Sequence, residues 1–208
     1  MSYKELVEQL ITDGKLKSPQ IIRAFEKVDR ANFMRSEYKK MAGSDAPFPI
    51  GSGQTISQPT TVAFMIEKLQ PQKGQEILDI GAGSGWTTAL LAEIVGPKGK
   101  VYGVEIIPEV FQFGKENISR TDYKNVEFLN IDASGGLPQK APLDRILGGA
   151  SAPEIPKPLK EQLKITGKIV MPVQDKVVML EKTAKNKFKK EIYPFFAFVP
   201  MKGEYGQK

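Results

Sequence analysis

The chain has 208 residues, 40% of them hydrophobic and 26% charged, a size and balance that suit one domain around one continuous core. Its formal charge of +6 permits an acidic partner, but its lysines and arginines are dispersed rather than massed on one segment. There is no cysteine and no histidine, which excludes disulfides, thiolate nucleophiles, Ser-His-Asp catalysis and Cys/His metal centres, so no metal site is expected.

In chain order, Leu6, Val7, Leu10 and Ile11 form one helical stripe that Gly14 interrupts. Ser18-Pro19 reads as a cap with proline at the first helical position, followed by Ile21, Ile22, Phe25 and Val28. The stretch from Met41 to Pro59 is rich in glycine and proline and reads as an ordered loop. Ser57-Gln58-Pro59 reads as a second cap, opening a helix with Val62, Met65, Ile66 and Leu69 facing the core. From Glu76 strands and helices alternate. Strands are expected at 76–80, 101–105, 126–130, 145–147, 168–173, 177–181 and 192–199, and helices at 87–95, 108–119 and 158–163. Such alternation implies a mostly parallel seven-stranded sheet with helices on both faces. The last three strands, joined by short polar turns, imply an antiparallel edge. The chain therefore divides into a helical N-terminal extension with a loop (1–70) and an α/β core (76–208), within one domain.

The strand Glu76–Ile80 runs into Gly81-Ala82-Gly83-Ser84-Gly85 and then a helix. Alternate glycines allow a sharp turn at a strand's carboxyl end and close approach of a ligand. The spacing is not the Gly-x-Gly-x-x-Gly of a dinucleotide site, and no Gly-Lys-Ser/Thr follows, so a P-loop is excluded. The strand-loop-helix resembles the S-adenosylmethionine loop of Rossmann-like methyltransferases. In such sheets the ligand lies beyond the strand carboxyl ends. Asp79 precedes the loop, Glu105 ends the next strand and suits two ribose hydroxyls, and Asp132-Ala133 suit an adenine amine and ring nitrogen. Gly149 and Ala150, after the fourth strand, are small enough for close approach to the reacting centre.

A second stretch, Gly51-Ser52-Gly53-Gln54-Thr55-Ile56-Ser57-Gln58-Pro59 with Pro47-Phe48-Pro49-Ile50 before it, resembles the signature loop of the protein-L-isoaspartate (D-aspartate) O-methyltransferases. The resemblance continues through Val28-Asp29-Arg30-Ala31-Asn32-Phe33, Val104-Glu105 with Pro108-Glu109, Ala150 to Pro156, and Phe198-Val199-Pro200-Met201. It implies methyl transfer from S-adenosylmethionine, leaving S-adenosyl-L-homocysteine, to the α-carboxylate of L-isoaspartyl residues in damaged proteins or peptides. The ester then closes to a succinimide that reopens partly to aspartate, which amounts to protein repair. It implies Ser57 as the active-site serine and Gln54, Thr55 and Ile56, with Asp79, Gly81, Gly83, Ser84, Gly85, Glu105, Asp132 and Ala133, around the cofactor. Ser57, Gln58, Thr60, Gly149 and Ala150 would face the substrate. A carboxylate is already ionised at neutral pH, so the lack of histidine costs nothing. The helix N-terminus at Ser57–Thr60 is expected to offer free amides to it. Four positions depart from the family pattern: Gly43 where an aromatic is common, Thr60, Ala133 after Asp132, and Gln174 where glycine is frequent.

Two other functions compete. The basic charge and shared fold admit an RNA (adenine) methyltransferase, although the densest basic run (Lys182, Lys185, Lys187, Lys189, Lys190) reads as a solvated hairpin turn and argues against nucleic acid. A catalytically weak S-adenosylmethionine-binding module is the third reading. No apolar run reaches membrane-span length and the polar opening Met1 to Glu5 lacks a signal core, so a cytoplasmic chain away from membranes is expected, acting as a monomer.

Overall fold

The computed structural model describes residues 1–207. Helix α1 (Tyr3–Thr12) opens on a capping box in which the Ser2 hydroxyl accepts from the Glu5 N–H while the Glu5 carboxylate accepts from the Ser2 N–H. Helix α2 (Pro19–Lys27) begins where the proline predicts, but Ser18 does not cap it. The Ser18 hydroxyl instead donates to Glu67, 2.6 Å away. Two 3-10 turns, Arg30–Phe33 and Ser36–Met41, follow, and then the glycine- and proline-rich stretch forms a small antiparallel pair, β1 (Phe48–Gly51) and β2 (Gln54–Ile56). These short elements escape periodicity because three or four residues carry too little of any repeat.

Helix α3 (Pro59–Leu69) leads into the core: β3 (Glu76–Ile80), α4 (Trp86–Val95), β4 (Lys100–Val104), α5 (Pro108–Ser119), β5 (Val126–Leu129), β6 (Leu143–Gly148), α6 (Lys157–Glu161), β7 (Leu163–Val173), β8 (Lys176–Ala184) and β9 (Lys187–Pro194). The seven core strands form one sheet in the order β5-β4-β3-β6-β7-β8-β9. The first five are parallel, and β8 and β9 complete the antiparallel edge.

Apolar alternation divides the sheet between two cores. Ile77, Val101, Leu147, Val170 and Val177 pack on Met65 and Leu69 of α3 and on Leu91 and Val95 of α4. Leu78, Ile146, Ile169 and Val178 face the other way, toward Leu159 of α6 and toward Leu137, Ile155 and Met201. That second face carries only the five-residue α6 and irregular chain, because the β5–β6 connection holds Gly135, Gly136, Pro138 and Pro142, which block a long helix. The N-terminal helices share a third cluster with Trp86, Leu90 and Ile94 of α4.

Several boundaries differ from expectation, and two strands begin five residues early. Leu163, expected at a helix end, starts β7 and pairs with Leu143. The last strand lies at Lys187–Pro194 rather than 192–199, since Pro194 has no N–H for the ladder and Phe195 turns left-handed at φ 70°. The chain from Phe196 then leaves the sheet and crosses the strand carboxyl ends until the Val199 carbonyl accepts from the Ser151 N–H. The lysine-rich β8–β9 turn lies at the opposite, amino end of the sheet, where Lys182 donates to the Leu163 carbonyl at 2.6 Å. Among the described residues no helix is long and apolar enough to cross a membrane.

Candidate active site

Beyond the carboxyl ends of β3, β4 and β6 lies a cleft of about 800 Å³, including its open mouth. Its floor is the glycine loop. The Gly81 and Ala82 N–H groups both donate to the Val104 carbonyl, so the chain leaves β3 still bonded to β4. Gly81, Gly83 and Gly85 take φ of 71°, 54° and 84°, the left-handed region that only glycine enters at little cost. Gly149 is needed for a different reason: a Cβ there would lie 2.6 Å from the Gly81 carbonyl oxygen.

Glu105 is 5% exposed and binds this loop to the start of α5. Its two carboxylate oxygens accept from the Gly83 N–H (3.1 Å) and the Ile107 N–H (2.9 Å). Burial raises its pKa above the ordinary carboxylate range, and these N–H bonds, with the charge of Lys202, offset part of the rise. Each oxygen accepts one such bond and retains further acceptor capacity on the cleft lining, which suits a pair of hydroxyl donors.

Asp132 also lines the cleft, but its carboxylate is engaged on both oxygens, by the Ser134 N–H and the Glu204 N–H, each at 2.8 Å. Partial burial pushes its pKa up, and the bonds from Glu204 and Ser134 more than reverse that, leaving it lowered. An adenine amine would therefore share an acid already gripped by the C-terminal segment. That segment supplies Val199, Pro200, Met201 and Lys202 to the cleft wall. None was expected there, because the segment reads locally as strand and its place above β6 depends on a long-range pairing. Ile50, Trp86, Ile106, Ile107, Ile131 and Ser134 are lining residues that carried no local signal either.

Of the residues expected around cofactor and substrate, Gln54, Thr55, Ile56, Ser57, Gly81, Gly83, Ser84, Glu105, Asp132, Ala133, Gly149 and Ala150 come together on this cleft. Four do not. Gly85 is a turn residue at the α4 N-terminus, packed on Ile118. Asp79 lies beneath the loop, 1% exposed, where Oδ2 accepts from the hydroxyls of Thr87 (2.8 Å) and Thr88 (2.7 Å). Its Oδ1 is buried without a partner among the described residues, and burial raises its pKa to about 6. Gln58 and Thr60 lie behind Ser57, away from the cleft.

The expected free helix N-terminus is also corrected. Gln58, not Ser57, is the N-cap of α3, and neither side chain caps it. The cap comes from Asp45, whose carboxylate accepts from the Thr60 N–H (2.8 Å), the Thr60 hydroxyl (2.7 Å) and the Gln58 side-chain amide (3.0 Å). The Thr60 amide is thus already occupied by an anion. Ser57 is half-buried on the cleft wall, and its hydroxyl makes no hydrogen bond among the described residues.

Two departures noted in the sequence acquire physical reasons. A Cβ at Gly43 would collide with the backbone of Met1 and Ser2, so no larger residue fits where the N-terminus packs. Gln174 holds φ 56° in the β7–β8 turn, a conformation glycine enters more cheaply.

Comparison with known proteins shows the family and the fold. The family model for protein-L-isoaspartate(D-aspartate) O-methyltransferase matches residues 1–206. A protein-L-isoaspartate O-methyltransferase of Pyrococcus horikoshii is 44% identical over 209 residues, covering 98% of this chain and 94% of the relative. One from Aeropyrum pernix is 44% identical over 208 residues, covering 98% and 80%. A solved protein-L-isoaspartate O-methyltransferase structure superposes with a TM-score of 0.89 at 26% identity, over 98% of this chain and 67% of that one. A Plasmodium falciparum chain crystallised with S-adenosyl-L-homocysteine gives a TM-score of 0.85 at 25% identity, over 96% and 97%.

Proposed function

Because this chain belongs to the protein-L-isoaspartate(D-aspartate) O-methyltransferase family, we infer that Ser57, where its substrate loop meets the cleft, binds and orients the carboxylate to be methylated. The chain is an S-adenosylmethionine-dependent enzyme that methylates the α-carboxylate of L-isoaspartyl residues in damaged proteins. The cofactor, when bound, supplies an electrophilic methyl group on a sulfonium. The rest is positioning. The substrate carboxylate is ionised at neutral pH and is itself the nucleophile, so the chain needs no general base and has no histidine to serve as one.

The residues present fit the cofactor. Glu105 keeps acceptor capacity for the ribose hydroxyls, the left-handed Gly81 and Gly83 present no side chain to the cleft, and Ala133 and Ser134 border the nucleoside end. Gly149 and Ala150, opposite the loop, leave room for the methionyl end. Ser57 donates to the incoming carboxylate and sets its approach, while Ile50, Ile56 and Trp86 exclude water from the reacting pair.

The observation that carries the assignment of Ser57 is its uncommitted hydroxyl on the wall of the cleft that the glycine loop floors. The basic turn at Lys182–Lys187 lies at the far end of the sheet, so it offers no phosphate track leading to this cleft. The proposal extends to a monomeric, cytoplasmic enzyme. The test is incubation with labelled S-adenosylmethionine and a matched pair of aspartyl and isoaspartyl peptides. Base-labile label on the isoaspartyl peptide alone is the expected result. Label in RNA, or binding of S-adenosyl-L-homocysteine with no label in either peptide, would overturn the reading.

A further inference from the structure

Arg30 is fully buried, and no carboxylate lies within ion-pair distance of it among the described residues. Its guanidinium donates to four backbone carbonyls: Nη1 to Ala42 (3.3 Å) and Ser44 (3.0 Å), Nη2 to Ala46 (2.7 Å) and Ser57 (3.0 Å). It also lies about 5.5 Å from the Phe48 ring and 5.4 Å from the Trp86 ring. Burial lowers its pKa to about 10, so it stays charged at neutral pH. A buried cation without a directly paired carboxylate is costly, and the nearby Asp45 charge offsets only part of that cost. A loop needing only to be tethered could use neutral donors, whereas a planar fork reaches two segments at once.

The two segments are the Ala42–Ala46 loop and the Ser57 backbone. Between the pinned carbonyls of Ser44 and Ala46 sits Asp45, which caps α3 through Gln58 and Thr60. Ser57 is therefore gripped twice, through its own carbonyl by Arg30 and through the following residues by Asp45. Because Arg30 also packs on Trp86, a cleft-lining residue next to the glycine loop, the same group ties the substrate corner to the cofactor floor.

We propose that Arg30 and Asp45 are positioning residues for methyl transfer, holding the Ser57 hydroxyl in register with the glycine loop. The loop's anchored carbonyls make Asp45 a resident cap and not a movable plug, so the substrate carboxylate is received at Ser57 rather than at the α3 N-terminus. This rests on Ser57 being the carboxylate-orienting group.

The experiment compares Asp45→Ala, Arg30→Lys, Arg30→Met, Ser57→Ala and the Asp45→Ala/Ser57→Ala double variant. Each is assayed per S-adenosyl-L-homocysteine-binding site for kcat and KM on an isoaspartyl peptide, alongside thermal melting. Asp45→Ala is expected to lower kcat/KM by up to about tenfold, no further than Ser57→Ala, while S-adenosyl-L-homocysteine affinity stays within about twofold. Arg30→Met should lose more than Arg30→Lys, which keeps the charge but not the fork. The double variant should lose no more than Ser57→Ala alone, the signature of groups acting through one another. If Arg30→Met does not fold, Asp45→Ala and Arg30→Lys decide the matter. Lowered melting temperature with unchanged kcat/KM per binding site would overturn the proposal, as would losses that multiply in the double variant. A wild-type chain that labels no isoaspartyl peptide overturns the functional reading and this inference with it; a silent Asp45→Ala beside an impaired Ser57→Ala overturns the inference alone.

Discussion

The two walls of the cleft are made in opposite ways. The wall proposed for the cofactor is local: five consecutive residues, Gly81 to Gly85, take their shape from glycine conformations and bonds to the adjacent strand end. The wall proposed for the substrate is assembled at a distance, since the Ser57 corner is held by Arg30 and Asp45, 27 and 15 residues away along their respective hydrogen bonds. A wall built from backbone conformation fails when a side chain is added. A wall built from remote hydrogen bonds fails when one is removed, and it fails in orientation before it fails in affinity.

The sharpest way to break the cofactor wall is Gly149→Ala, whose methyl has only the Gly81 carbonyl to displace. Over 100-fold weaker S-adenosyl-L-homocysteine binding by calorimetry is expected, equivalent to about 3 kcal/mol. Next comes Asp79, beneath the same wall. Its folded pKa of about 6 exceeds the ordinary 3.8, so the folded state holds the proton more tightly. The resulting stabilisation is fully present below about pH 4 and is lost as pH rises through about 6, a swing of up to about 3 kcal/mol. Asp79→Asn should therefore gain stability relative to wild type across that interval, read by denaturant melts at pH 4, 5, 6 and 7. A flat difference would show that the carboxyl titrates normally. Glu105→Gln follows: the amide cannot accept both the Gly83 and Ile107 N–H groups, and about 10- to 30-fold weaker S-adenosyl-L-homocysteine binding is expected. The smallest effect tests the other wall. Ser57→Ala should lower kcat/KM for an isoaspartyl peptide about tenfold with cofactor affinity and melting temperature nearly unchanged; equal activity would remove Ser57 from the site.

The same contrast explains what could be read from the chain beforehand. β3 and α5 lie where expected to the residue, since their apolar patterns, the glycine loop and the Pro108 start are all local. The place of Glu105 on the cleft was legible because the cleft in this class lies beyond the strand ends. Asp45 was not, because a cap normally precedes its helix by one residue and nothing in Ser44-Asp45-Ala46 points to Thr60. Arg30 carries no local signal beyond its place in Val28–Phe33, because its burial against four carbonyls depends on the packing of distant segments. The C-terminal wall from Val199 to Lys202 was hidden for a simpler reason. Its Phe-rich run suits a strand, and only Pro194 and the left-handed Phe195 turn it out of the sheet.

The lysine-bearing β9 has one more consequence. It is the outermost strand, so one side of its backbone has no partner within the sheet. An enzyme that handles damaged, loosened polypeptide meets extended segments able to add themselves to such an edge by main-chain pairing. Lys187, Lys189 and Lys190 are exposed along that strand and Pro194 ends it without a donor. Desolvating these ammonium groups would oppose a chain laid alongside, so their charge guards the open edge.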